Sequence, residues 1–185
     1  MRYSVTTAQP SYYPVTVDEC KDALELTGNS AHDDKLLIML RAATEEAESY
    51  TGAFFAQREA VIRYDSVVTY YRLPVYPIRS MTAESKSSGS FSAFTDFDAD
   101  LADVPPLVKF NSLPSVDDGL SNVRFTAQVG YESSNSPADA DLIPYAVKEA
   151  IIFHVYQSFL TRGELSDVAR HTFRNMLHPY RVLGL

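Results

Sequence analysis

The sequence predicts an α+β protein, mainly a helical bundle of about four helices with an antiparallel β-rich insertion in the middle of the chain. Three observations carry that reading. Apolar residues recur at three- and four-residue spacings in two blocks, one towards each end of the chain. Between them the helical period gives way to β-branched and aromatic runs broken by proline, serine and glycine. The length, 185 residues, suits one good core with a small appended lobe. The expected organisation is a single domain over residues 1–185, with helical parts at about 16–52 and 142–178, a β-rich insertion at about 54–131 and a C-terminal tail at 179–185.

The elements follow in order. In "VTVDECKDALELTG", Thr16 stands where a helix cap belongs, with Glu19 three residues on, the capping-box spacing, and Gly28 offers a left-handed C-terminal position. In "SAHDDKLLIMLRAATEEAESYTG", Ser30 is the expected cap, Asp33 and Asp34 suit the positive end of the dipole, and Gly52 stops the helix. Leu36, Leu40, Ala43, Ala47 and Tyr50 fall on one stripe, with Arg41, Glu45 and Glu48 opposite. The runs "QREAVIRYDS", "YYRLPVYPIRSMTAES", "PPLVKFNS" and "NVRFTAQVGY" read as three to five antiparallel strands, with Asp118-Gly119 as a turn signal. "SKSSGSFS", from Ser85 to Ser92, has the composition of a loop or hairpin tip. "DLIPYAVKEAIIFHVYQSFLTRG" returns to helix, with Pro144 near its first turn and Gly163 after its last. Val147, Ile151, Val155 and Phe159 line one side, and Ala146, Ala150, Phe153 and Leu160 cover much of the rest, which predicts a helix buried nearly all round. A final helix is expected from a Ser166 cap through Ala169, Phe173, Met176 and Leu177, ended by Pro179.

Composition excludes several classes. With 45% apolar and 22% charged residues the chain has the make-up of a folding domain and not of a disordered one. No run approaches the roughly 18 apolar residues of a membrane span, and the N-terminus lacks the apolar core of a signal peptide, so no membrane partner is expected and a cytoplasmic location is. The single cysteine, Cys20, excludes an intrachain disulfide and a cysteine-based zinc site. A formal charge of -8 argues against a protein that grips nucleic acid, since gripping needs lysine and arginine against phosphates. The same charge suits a surface that DNA passes without sticking.

The sequence offers little chemistry. His32, His154, His171 and His178 include no i, i+4 pair for a metal, and His154, in the most apolar helix, reads as a hydrogen-bonded core residue. Asp96, Asp98 and Asp100 imitate the start of a calcium loop, but Leu101 stands where that loop needs glycine and Leu107 where it needs glutamate. The "EEAE" cluster, Glu45 to Glu48, reads as a solvated helix face. Neither a nucleophile motif nor a glycine-rich phosphate loop is present. No enzyme activity, catalytic residue, metal or cofactor is expected.

The succession of motifs is more specific than any one of them. "YPVTVDECKDALEL", then "DDKLLIMLRAATEEAESYTGAFFAQREAVIRYD", and much later "IPYAVKEAIIFHVYQSFLTRGEL" followed by "NMLHPYR", closely resembles the head-tail connector (adaptor, or head completion) proteins of tailed bacteriophages and gene transfer agents. The stretch from Ser66 to Ser121 is more elaborate than in the simplest members. The resemblance implies a structural virion protein forming an adaptor ring, usually of twelve copies, at the capsid vertex. Implied partners are the dodecameric portal protein, stopper or tail-terminator proteins, other copies of the chain, and genomic DNA passing through without sequence-specific binding. Other readings are a different neck or tail-completion protein, or a small-molecule enzyme or binding module.

Two stretches are candidate interfaces. The tail "HPYRVLGL" ends the chain on an aromatic ring, a guanidinium and aliphatic residues, types enriched at interface hot spots. The resemblance makes Pro179, Tyr180, Arg181, Val182, Leu183 and Leu185 portal contacts; alternatively the segment folds back on Phe173 and Leu177 of its own subunit. Ser85, Lys86, Ser87, Ser88, Gly89 and Ser90 are the candidate contact with the tail or a neighbouring subunit. Leu24, Leu26 and Ile38, only partly accounted for within one subunit, are expected to be covered laterally.

Overall fold

A computed structural model describes residues 2–116, 119–131, 143–162 and 165–182. Strands are about as common as helices, so the protein is a mixed α and β structure and not mainly a helical bundle. The chain divides into two compact units: the segment up to Ser11 with Gln57–Gly130, and Tyr12–Ala56 with the described residues from Tyr131 to Val182.

Among the described residues the first unit holds eight strands, β1 Tyr3–Thr7, β2 Arg58–Tyr64, β3 Tyr70–Arg72, β4 Ile78–Ser87, β5 Ser90–Phe94, β6 Phe97–Asp100, β7 Leu107–Phe110 and β8 Val123–Val129. They form a five-stranded sheet in the order β1-β2-β8-β4-β5 and a three-stranded sheet in the order β3-β7-β6, every pairing antiparallel. Alternation dictates the core. Ala60, Ile62 and Tyr64 on β2 and Val123, Phe125, Ala127 and Val129 on β8 point one way and are buried, while the residues between them are more exposed. Tyr71 bridges the sheets, its ring 4.9 Å from Tyr64, 5.1 Å from Phe125 and 5.1 Å from Phe110. Both buried phenols are satisfied, Tyr64 donating to the Arg72 carbonyl at 2.7 Å and Tyr71 to that of Ser66 at 3.1 Å. The strands are not wholly an insertion: β1 comes from the N-terminus, ahead of every described helix, and pairs in register with β2.

Among the described residues the second unit holds four α-helices, α1 Val17–Ala23, α2 Asp33–Thr51, α3 Tyr145–Leu160 and α4 Asp167–Leu177, with a 3-10 turn over His178–Tyr180. Thr16 caps α1 through a complete capping box with Glu19. Its left-handed residue, however, is Glu25, and Gly28 lies in the turn beyond. Ser30 does not cap α2; His32 is the residue there and makes no side-chain cap. Asn29, three residues ahead of that position, instead takes the Ala31 N–H on its side chain. Gly52 ends α2 at φ 75, and Ser166 caps α4 through the Ala169 N–H, as the sequence predicts. Pro144 is the residue before the first turn of α3. The expected stops at Gly163 and in Asp118-Gly119 involve residues outside those described. Leu36, Leu40, Ala43 and Ala47 meet a core that includes Val147, Ala150, Ile151, Val155, Phe173 and Leu177. Lys21, nearly buried, bridges Asp18 at 3.3 Å and Asp33 at 3.0 Å and so ties α1 to the start of α2.

Candidate interaction surfaces

The C-terminal segment is held by the end of α2. The last four carbonyls of a helix lack intrahelical partners, and one of them, that of Thr51, accepts the Val182 N–H at 2.7 Å. Gly52 stands beside this contact, and its left-handed φ of 75 disfavours any side chain there. One residue earlier, the Tyr50 ring carries the Arg181 guanidinium at 5.2 Å and that of Arg174 at 5.7 Å, and the Tyr50 hydroxyl lies 3.4 Å from His178 Nδ1. The turn His178–Tyr180, with Pro179 inside it, swings the chain from α4 into this position. Of the six expected portal contacts, Pro179 and Arg181 are exposed, Tyr180 and Val182 half-buried, and Leu183 and Leu185 lie outside the described residues. Among the described residues, the docking point is Tyr50 and Thr51 at the end of α2. What faces outward is basic: Arg170, His171, Arg174, His178 and Arg181 are all exposed on a chain of formal charge -8.

"SKSSGS" is a hairpin tip. Ser88 and Gly89 take φ 53 and 78, the two positive values of a two-residue turn, and Ser87 pairs with Ser90 across it. The six candidate residues do not share one environment. Ser85 is buried and paired with Ser92, Lys86 is half-buried, and Ser87, Ser88, Gly89 and Ser90 are exposed. Behind the tip, Arg124 on β8 pairs with Glu84 on β4 and lies 4.2 Å over the Phe91 ring. The hydrogen bond from Arg124 holds the Glu84 carboxyl below its ordinary pKa.

The helical unit leaves apolar surface uncovered. Ile38 is 67% exposed on α2, and Leu24 and Leu26 are half-buried. The expectation that α3 is buried nearly all round is wrong within one subunit. Tyr145, Tyr156 and Leu160 share an exposed face, with Tyr145 at 70% and Leu160 at 58%, while Val147, Ile151 and Val155 face the core. Composition alone cannot tell a helix enclosed on every side from one with a core face and a second apolar face.

The expected solvated "EEAE" face is also corrected. Glu45 is exposed, but Glu46 reaches His154 Nε2 at 3.1 Å and Arg174 at 3.9 Å. Glu48 accepts the Phe55 and Ala56 N–H groups, each at 2.8 Å, and fixes the exit from α2. His154 is the buried, hydrogen-bonded histidine the sequence predicts, with the Phe173 ring edge-on at 4.9 Å. Burial pushes the Cys20 thiol up to about 12, so it stays protonated. Asp98 and Asp100 sit on β6, and Asp100 accepts the Ala102 and Asp103 N–H groups. Among the described residues no three His, Cys, Asp or Glu side chains gather as metal ligands, and no helix is long and apolar enough to cross a membrane.

No protein-family model matches the chain, and no curated protein matches it. Solved structures do match its fold over its whole length. A chain from the neck of an empty gene transfer agent particle with C6 symmetry superposes at a TM-score of 0.77 with 18% identity, covering 100% of this chain and 97% of that one. A chain from the neck of a native particle with C12 symmetry gives 0.73 and one from the virion of a native particle 0.71, each at 20% identity with the same coverage. The fold is thus one found in gene transfer agent particles.

Proposed function

We propose that the chain is a structural protein of a virion neck, the adaptor between portal and stopper or tail at the capsid vertex, repeated as a ring of about twelve copies around the DNA channel. The observation that carries this is the end-to-end fold match to chains of gene transfer agent particles, two of them from necks with cyclic symmetry. The motif succession from "YPVTVDECKDALEL" to "NMLHPYR" supports the same family independently of the fold. In this reading the acidic chain lines a passage that DNA crosses without being held, because like charges offer it no strong contact. The portal-facing surface is the basic C-terminal end, Pro179, Tyr180 and Arg181 presented by the clasp on α2, with Leu183 and Leu185 continuing it. The hairpin tip from Ser87 to Ser90 faces the tail or the next subunit. The protein carries out no catalysis, and it is made in the host cytoplasm before joining the filled head.

Deleting the gene from a producing strain tests this. The expected product is heads that fill with DNA but carry no tails and leak their contents. Tailed particles of normal yield would refute the adaptor role.

A further inference from the structure

The two sheets of the β unit differ in how their edges are defended. In the three-stranded sheet, one edge strand, β3, has only three residues, includes Arg72 and is closely followed by Pro74; the other, β6, carries Asp98 and Asp100. Short length, charge and proline are the usual means of stopping a free edge from pairing with another chain. The five-stranded sheet has none of them. Its edge strands β1, "YSVTT", and β5, "SFSAF", are five residues each, without a charge or a proline.

The registers show which backbone groups those edges offer. Lys86 donates its N–H to Asn122, away from β5, so Lys86 and Phe91 are opposed without mutual hydrogen bonds. By the alternation of antiparallel ladders, Phe91 and Ala93 then turn their N–H and C=O groups to the free edge. On β1, Ala8 donates to Glu59 and Asp65 donates to Arg2, which leaves Tyr3, Val5 and Thr7 pointing outward. Among the described residues no strand pairs with either edge. Where β5 ends against β4 there is an apolar pocket of about 250 Å³, lined by Met81, Ala83, Ala93, Phe94 and Phe97 among others.

We infer that β1 of one copy adds to β5 of the next, so that the five-stranded sheet continues from subunit to subunit; the inference rests on the ring reading above. All neighbours in the sheet are antiparallel, so β1 and β5 run in the same direction and the new pair is parallel. Joining two different edges is a head-to-tail contact, the kind that closes into a ring, whereas β1 against β1 makes only a twofold dimer. The pocket receives an apolar side chain of the incoming strand, with Val5 and Tyr3 the exposed apolar residues of β1.

Cysteine trapping tests the pairing, since the single native thiol, Cys20, is buried. The full-length double variant Val5→Cys with Ser92→Cys, two exposed residues on the same face of the continued sheet, is oxidised at high concentration and run on a denaturing gel, while sedimentation reports the mass before oxidation. The expected result is a ladder of covalent multimers from the double variant and at most dimers from either single one. A large assembly with no ladder overturns the strand pairing and leaves the ring standing. Dimers from Val5→Cys as the main product would show twofold pairing of β1 and overturn it as well. A chain that neither assembles nor cross-links removes the ring reading, and this inference with it. As a second variant, Ala93→Pro deletes one outward N–H without touching the β4 ladder. It is expected to abolish assembly with the circular dichroism spectrum retained; assembly at wild-type strength would contradict the proposal.

Discussion

Replacing Tyr50 by alanine removes the surface on which the C-terminal segment rests. Two guanidinium groups, from Arg181 at 5.2 Å and Arg174 at 5.7 Å, lie against its ring. Each such contact at an exposed site contributes about 0.5–1 kcal/mol. The half-buried ring adds lost packing, and the 3.4 Å approach to His178 adds little at that length. The sum is about 2 kcal/mol, and with roughly 2–4 °C of melting temperature per kcal/mol for a chain of this size, the variant should melt about 4–8 °C lower. Arg181→Ala removes one contact and leaves the Val182 N–H on the Thr51 carbonyl, so its cost is about 0.5–1 kcal/mol. Thermal unfolding followed by circular dichroism measures both, and the double variant completes a cycle. In the Tyr50→Ala background, Arg181→Ala should cost almost nothing further. Equal cost in both backgrounds would refute the claim that the ring holds the guanidinium.

Three further outcomes follow from single contacts. Glu48→Ala leaves the Phe55 and Ala56 N–H groups without their acceptor and should cost about 3 kcal/mol in urea unfolding. Thr16→Ala breaks the capping box of α1 and should cost about 1 kcal/mol, with Thr16→Ser close to wild type by the same measurement. Because the Arg124 hydrogen bond lowers the folded pKa of Glu84, the pair's contribution is complete above the unfolded carboxylate pKa and is lost as pH falls through the folded value. Wild-type stability should therefore decline more on acidification below roughly pH 4 than that of Glu84→Gln, by up to about 1 kcal/mol for this partly exposed pair. Parallel pH curves would show that the pair contributes nothing.

Local chemistry was legible where one residue decides the geometry. Thr16 with Glu19, Gly52 and Ser166 mark helix ends through their own side chains or lack of one, and all three behave as the sequence indicates. Ser30 misled because an adjacent Asx turn at Asn29 shifts the helix start to Asp33. β1 was missed because its alternation, Tyr3 and Val5 between Ser4 and Thr6, is only five residues long and buries nothing within the chain; its pairing with β2 is what makes it a strand. The tail was legible as interface-like residues but not in its docking. That contact runs between a backbone N–H and a helix-end carbonyl, which no side-chain pattern records. Glu46 and Glu48 show the same limit from the other side: a charge run looks solvated until the folded chain brings His154, Arg174 and the α2 exit within reach.

The most direct measurement is a cryo-EM reconstruction of the neck in particles that carry this protein with a small tag at its N-terminus. The account predicts a closed ring of the chain directly below the portal, with the C-terminal end carrying Arg181 turned to the portal. A complete neck whose ring density is another protein, with the tag absent or elsewhere in the particle, would contradict it.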